Sequence, residues 1–265
     1  MPTLADDLDL LRLAAMAAGD VALAYFRSGQ ATSATISYKA GNSPVSEADH
    51  AANEVLEYQL RQQRPGYAWI SEETADNSER LSASHVFIAD PIDGTRAFIA
   101  GKPEWCVSVA LVVNGKPVAG VIHAPSLGLT YTAMQGGGAF CNGERIAISR
   151  QPGLENALCA GPKSLIEQLE KQRAIVIRQM PRVPSLALRL AYAAAGKADM
   201  ALATTGAHDW DVAAADILLS EAGGLLMELD QQPLVYNQAT LGRGILCAGP
   251  AVLAAEAAQA LGLRR

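Results

Sequence analysis

A mixed α/β (α+β) fold is what the sequence predicts, and three observations predict it. Near the N-terminus Leu4, Leu8, Leu11, Ala15, Ala18 and Ala22 recur at helical spacing. After Gly66 the chain turns to short β-rich runs, two of them joined by Asn114-Gly115, a strong two-residue hairpin signal. In the second half, strand-like runs alternate with apolar helical patterns. At roughly 100 to 200 residues per domain, 265 residues make one large domain or two closely packed ones. The loop around Gln151-Pro-Gly153 is the candidate boundary, dividing the chain into residues 1–150 and 151–265.

The first helix should end at the polar stretch Ser28 to Ser37, and a second should start near Ser46. There Glu47 and Asp49 favour the positive end of the helix dipole, and Ala52, Val55 and Leu56 form its inner face up to Pro65-Gly66. Between them lies a polar loop, Lys39 to Pro44. Strands are expected over Tyr67–Ile70, Val86–Ala89, Cys106–Val113, Pro117–Ala124 and Leu129–Met134, the third and fourth as antiparallel neighbours. In the second half Ile175–Ile177, Ala198–Leu202, Leu225–Leu229 and Ile245–Ala248 read as strands, with helices over Ser185–Ala195, Asp211–Ala222 and Ala251–Leu261. There is no internal repeat and no low-complexity segment.

Composition removes several classes of function. Half the residues are hydrophobic and 18% are charged, and with a mean hydropathy of +0.12 the chain has enough apolar surface to offset the entropy of ordering a core. Disorder is excluded. A net charge of −6 argues against a nucleic-acid polymer or an anionic membrane surface as partner. A small phosphorylated metabolite stays open, provided something local reverses the sign of the field. No apolar run approaches the ~18 residues of a membrane span, so no insertion is expected. Asp6, Asp7 and Asp9 stand where a secretory signal needs positive charge, so the expected compartment is the cytoplasm. Cys106, Cys141, Cys159 and Cys247 have no metal-type spacing and read as buried, reduced thiols.

The most informative stretch is Asp90-Pro-Ile-Asp-Gly-Thr95, directly after the apolar run Val86–Ala89. Two carboxylates flank a proline that fixes the turn, so they can converge on one point with the Ile92 carbonyl between them, an oxygen set that suits hard divalent cations. Gly94 and Thr95 then offer backbone N–H groups where Arg96 to Ala100 can begin a helical turn, which would cradle a phosphate. Taken alone, the motif more often describes an Asx turn with solvated acids. Two further acidic sites follow the same logic. Ser71-Glu72-Glu73-Thr74 ends another strand, with Glu73 read as solvated, and Trp210-Asp211 opens an apolar helix.

Glu72-Glu73, Asp90-Pro-Ile-Asp-Gly-Thr95 and Trp210-Asp211 with Glu221-Ala-Gly-Gly224, in this order and spacing, resemble the inositol monophosphatase superfamily of magnesium-dependent, lithium-sensitive phosphatases. The resemblance runs from the loop at Lys39 to about Gly249. It implies a five-layered αβαβα sandwich, often a homodimer. It also implies that Glu72, Asp90, Asp93, Asp211 and the Ile92 carbonyl hold two or three magnesium ions, while Thr95 and Asp49 orient and deprotonate the attacking water. Lys39 would lie on the loop that in this family closes over the metals. Its other reading is a solvated lysine.

Substrate choice must come from the second half. Where inositol monophosphatases carry a glutamate that binds inositol hydroxyls, seven residues before the Trp-Asp aspartate, this chain has Thr204. The segment from Ser185 to Gly196 resembles the 3'(2'),5'-bisphosphate nucleotidases, and Arg189 stands where they carry a lysine. A guanidinium fork there would suit a second phosphate; alternatively Arg189 is an exposed helix residue. The hairpin from Trp105 to Pro125 also resembles the nucleotidase branch, with Trp105 and His123 read as packing residues. The leading expectation is removal of the 3'-phosphate of 3'-phosphoadenosine 5'-phosphate to give AMP. The alternatives are hydrolysis of inositol 1-phosphate or histidinol phosphate on the same site, or a non-catalytic regulatory protein that kept the fold. Against the last stands the cost of a retained pocket of acids without cations.

Overall fold

In the computed structural model, which describes residues 3–39 and 41–262, the apolar periodicity of the N-terminus becomes helix α1 (Leu4–Leu23). Thr3 and Asp6 form its capping box, each satisfying a backbone N–H of the other. A short hairpin of β1 (Ile36–Tyr38) and β2 (Pro44–Ser46) leads into α2 (Glu47–Gln63). The polar loop at Lys39 is therefore the tip of a hairpin, which three-residue strands were too short to announce.

A seven-stranded sheet follows, in the order β3-β4-β5-β6-β7-β8-β9. Its members are β3 (Ala68–Ser71), β4 (His85–Asp93), β5 (Cys106–Val113), β6 (Lys116–Ala124), β7 (Leu129–Met134), β8 (Gly138–Cys141) and β9 (Glu144–Arg145). The expected β5–β6 hairpin turns at Asn114-Gly115, both at positive φ. A five-residue helix, α3 (Thr95–Ile99), sits between β4 and β5.

The second half builds β10 (Leu158–Ala160), α4 (Lys163–Arg173), β11 (Arg178–Gln179), α5 (Leu186–Ala194), β12 (Met200–Ala203), α6 (Asp209–Glu221), β13 (Leu225–Glu228), β14 (Leu246–Gly249) and α7 (Ala251–Gly262). These strands form a mixed sheet in the order β11-β10-β12-β14-β13.

Five layers result, because each strand face finds a helix to bury it. On β5, Val107, Val109 and Leu111 pack against Leu11, Leu56 and Leu60 of α1 and α2. The alternate residues Cys106, Ala110 and Val112 pack against α5 and α6. The same middle layer meets Ala201, Ala203 and Ala248 of the second sheet, and α4 and α7 cover that sheet's outer face through Leu165, Leu169, Leu253 and Ala257. Residues on both sides of Gly153 thus share one core. At Gly120 of β6 a Cβ would stand 2.9 Å from Ala214 Cα, so only glycine admits α6 this close to the sheet.

Three local expectations need correction. Ile175–Ile177 is not a strand: the Ile177 N–H donates to Glu170 Oε1 at 2.9 Å and the Val176 N–H to Glu155 Oε2 at 3.3 Å, so side chains take the donors a ladder would use. Helix α4 was not expected, since only Leu165, Ile166 and Leu169 of its residues are buried among charged neighbours. Cys141 is half-buried, whereas the other three cysteines are buried as expected. Trp105 is fully buried and meets Phe98 edge-on at 5.0 Å, and His123 is buried, its Nδ1 2.9 Å from Thr130 Oγ1. Among the described residues no helix is long and apolar enough to cross a membrane.

Candidate active site

The end of β4 carries the acidic motif. Asp90 pairs with Ser108 and Asp93 with Cys106, so three steps on β4 oppose two on β5 and the strand bulges over Pro91-Ile92. Pro91 has no N–H to lose there, and the Ile92 N–H donates to Asp90 Oδ1 at 3.0 Å. Gly94 follows at φ 93°, where a side chain is strained and a Cβ would also sit 3.2 Å from the Glu104 carbonyl. It turns the chain directly into α3.

Local helix-start chemistry positions two more acids. Asp49 accepts from the Ser46 N–H at 2.9 Å and the Ser46 hydroxyl at 2.6 Å through Oδ2, leaving Oδ1 to accept from Thr95 Oγ1 at 3.0 Å. Asp211 holds the same place in α6, its Oδ2 accepting from the His208 N–H at 2.6 Å. The His208 ring stacks on Trp210 at 4.7 Å. In both helices the capping box commits one carboxylate oxygen and frees the other.

These paths meet. Carboxylate oxygens of Asp90, Asp93 and Asp211 lie within 4.8 Å of one another, with Asp90 and Asp93 buried. Burial, then the like charges of Glu72, Asp93 and Asp211, push the Asp90 carboxyl well above the usual carboxylate range. Burial, then Asp93, does the same to Asp211. Burial also raises Asp93 and Asp49, against hydrogen bonds from Ser185 and from Ser46 respectively. Such crowding is costly unless cations offset it. An all-oxygen set of buried carboxylates is what a hard divalent cation requires.

Glu72, at the end of β3, lies at the edge of this group and is held by Lys39, whose Nζ is 3.0 Å from Glu72 Oε1 and 2.6 Å from Glu73 Oε1. Glu73 is therefore not solvated; its side chain is 3% exposed and ion-paired. Neither is Lys39 a free surface lysine. Arg189 is not the exposed helix residue of its second reading. It is half-buried on α5, its Nη2 donating to the Val183 carbonyl at 3.0 Å and its Nη1 to the Leu202 carbonyl at 3.1 Å. Thr204 is exposed just beyond β12.

Sequence reasoning missed Ser185. Its hydroxyl donates to Asp93 Oδ2 at 2.6 Å, the Ala187 N–H reaches the same oxygen at 2.5 Å, and Ser185 Oγ caps α5 by accepting from the Leu188 N–H at 3.0 Å. The cap was visible as Ser185 before an apolar helix; its partner was not. Glu221, the last residue of α6, accepts from the Gly136 and Gly138 N–H groups and ties α6 to the β7–β8 turn.

A cluster of acids this crowded, with a hydroxyl–carboxylate pair beside it, suits divalent cations and metal-assisted hydrolysis, and the comparisons give the class, a metal-dependent phosphomonoesterase. The sequence model of the Inositol monophosphatase family matches residues 7–262, and the chain belongs to that family. An inositol-1-monophosphatase of Mesorhizobium japonicum is 34% identical over 255 residues, covering 93% of this chain and 92% of that protein. The 3'(2'),5'-bisphosphate nucleotidase CysQ of Aggregatibacter actinomycetemcomitans is likewise 34% identical, covering 90% of each. Among solved structures, the extragenic suppressor protein suhB from Bartonella henselae superposes with a TM-score of 0.83 at 30% identity, covering 96% of this chain and 97% of that one.

Proposed function

We propose that this phosphatase uses magnesium to remove the 3'-phosphate of 3'-phosphoadenosine 5'-phosphate, giving AMP and phosphate. The convergence of Asp90, Asp93 and Asp211 within 4.8 Å carries the chemistry. Those residues, with Glu72 and the Ile92 carbonyl, would hold two or three magnesium ions, whose charge admits an anionic phosphate, activates water and stabilises the departing alkoxide. Lys39 holds Oε1 of Glu72, which leaves Oε2 to face a cation.

The chain's own part is to place and deprotonate the attacking water. Thr95 Oγ1 lies 3.0 Å from both Asp49 Oδ1 and the Ile92 carbonyl. With its O–H donated to Asp49, the hydroxyl keeps lone pairs that would orient a water in line with the phosphate; as that water attacks, its proton would pass to Thr95 Oγ1 while the Thr95 proton passes to Asp49, which ends with one proton. Gly94 and Thr95 open α3 beside the ligands, so their N–H groups receive phosphate oxygens. Thr95→Ala should lower kcat by roughly a hundred- to a thousandfold with little change in KM, while Thr95→Ser keeps most activity. Near-normal turnover by Thr95→Ala would remove Thr95 from the mechanism.

Thr204 supports the nucleotide over inositol phosphate, since a threonine at the end of β12 offers a sugar polyol no carboxylate. Arg189 does not support it. With its guanidinium on the Val183 and Leu202 carbonyls, Arg189→Ala is expected to cost about 1 to 3 kcal/mol of stability and to lower kcat/KM alike on bisphosphate and monophosphate. A loss confined to the bisphosphate would restore it as a phosphate ligand. The deciding measurement is phosphate release with magnesium from 3'-phosphoadenosine 5'-phosphate, inositol 1-phosphate and histidinol phosphate. A higher kcat/KM on inositol 1-phosphate would overturn the substrate and leave the metal chemistry standing.

A further inference from the structure

A second site lies away from the metal cluster. A cavity of about 810 Å³ opens between the tip of the β5–β6 hairpin, the C-terminal half of α6, β13 and the segment 231–234. Strand β5 separates it from the active site: Cys106 pairs with Asp93 at one end, and Val113 lines the cavity at the other. Seven residues of strand span roughly 24 Å. The floor is apolar, formed by Val118, Ile217, Leu226, Met227 and Leu234. Polar side chains, among them Asn114, Lys116, Gln135 and Gln232, line the rest, and a cavity of this size with both apolar and polar lining is what a small amphipathic ligand fills.

The polar group that matters is Asp216. Mid-helix aspartate is disfavoured, and its neighbours in Val212–Leu219 are otherwise all apolar. Oδ2 accepts from the Tyr236 hydroxyl at 2.8 Å, while Oδ1 has no hydrogen-bond partner among the described residues. Burial lifts this carboxyl to about 6, against the opposing hydrogen bond from Tyr236, so it is ionised at neutral pH. Tyr236 is anchored in turn: its N–H donates to the Gly115 carbonyl at 2.9 Å, and the Arg243 guanidinium lies over its ring at 4.7 Å. The acceptor is thus rigidly placed, sits in an apolar wall and has spare capacity. Oδ1 is left free at this half-buried part of the cavity wall, and a ligand that donates to it there gains a charge-assisted hydrogen bond.

We infer that this cavity is a second ligand site, taking a small molecule with an apolar body and a protonated primary amine that donates to Asp216. A single ammonium suits one free oxygen better than a guanidinium fork, which needs two. The other acid lining the cavity, Glu221, already spends both oxygens on Gly136 and Gly138, so Asp216 is the anchor.

The test uses 2-phenylethylamine, with 2-phenylethanol as its uncharged counterpart, on the full chain at pH 7.5 and saturating magnesium. Two-dimensional amide NMR reports where each probe binds. The amine should bind saturably, at about millimolar Kd or tighter, with shifts at residues 113–118 and 216–227. The alcohol should bind at least about tenfold more weakly, the scale of one charge-assisted hydrogen bond. Asp216→Asn should weaken the amine by the same factor, and Ser220→Trp, an exposed substitution at the rim, should block both probes. No saturable shifts at these residues, or equal affinity for amine and alcohol, would overturn the site and leave Asp216 a structural partner of Tyr236. The wild-type comparison and Ser220→Trp decide the matter even where Asp216→Asn fails to fold.

Discussion

Asp93→Asn is expected to lower kcat by at least about a thousandfold, equivalent to about 4 kcal/mol of transition-state stabilisation. The reason lies in how the side chain is held. Oδ2 of Asp93 receives two donors, the Ser185 hydroxyl at 2.6 Å and the Ala187 N–H at 2.5 Å. In asparagine the one remaining acceptor must face those donors, because the reverse orientation sets NH2 against O–H and N–H in a buried place. The NH2 group then points into the cluster with Asp90 and Asp211, where a donor cannot ligate a cation. The amide fits the space and satisfies Ser185, so the fold should survive, and near-wild-type circular dichroism is the control. A folded variant with substantial turnover at saturating magnesium would sink the assignment of Asp93 as a ligand.

Removal of divalent cations should abolish activity outright, with magnesium restoring it and calcium failing to. Calcium is larger and accepts more ligands, so it fills an acidic site without the compact octahedral arrangement that magnesium imposes. Lithium inhibition is expected from the family alone. A second readout needs no substrate. Because burial and neighbouring charge make the metal-free cluster unfavourable, added magnesium should raise the melting temperature, by an amount that grows with its concentration over Kd. The rise should shrink in Asp93→Asn. Full activity in excess chelator, or no magnesium-dependent stabilisation in the wild type, would refute the metal-dependent mechanism.

What the sequence by itself determined is what local physics determines. The helix start at Ser46 follows from side chains reaching backbone three residues away, so the chain from 46 to 49 already places Asp49 in its helix's first turn, and Trp210-Asp211 marks the start of α6 to within two residues, the His208–Asp211 cap going unread. The Asp90–Thr95 motif carries its own turn, in a proline that needs no ladder partner and a glycine that takes positive φ. The Asn114-Gly115 hairpin is equally local. Tertiary structure decided everything that depends on partners distant in sequence. Ser185 is 92 residues from the Asp93 it orients, and Lys39 is 33 residues from the Glu72 it neutralises. Arg189 looked like a free cation until packing brought the Leu202 carbonyl beside α5, and nothing local to Asp216 announces Tyr236 or the cavity it lines. Periodicity states that a residue is buried, but not against what. Its partner is set by how sheets and helices stack, a consequence of burying every apolar face at once that no short window of sequence contains.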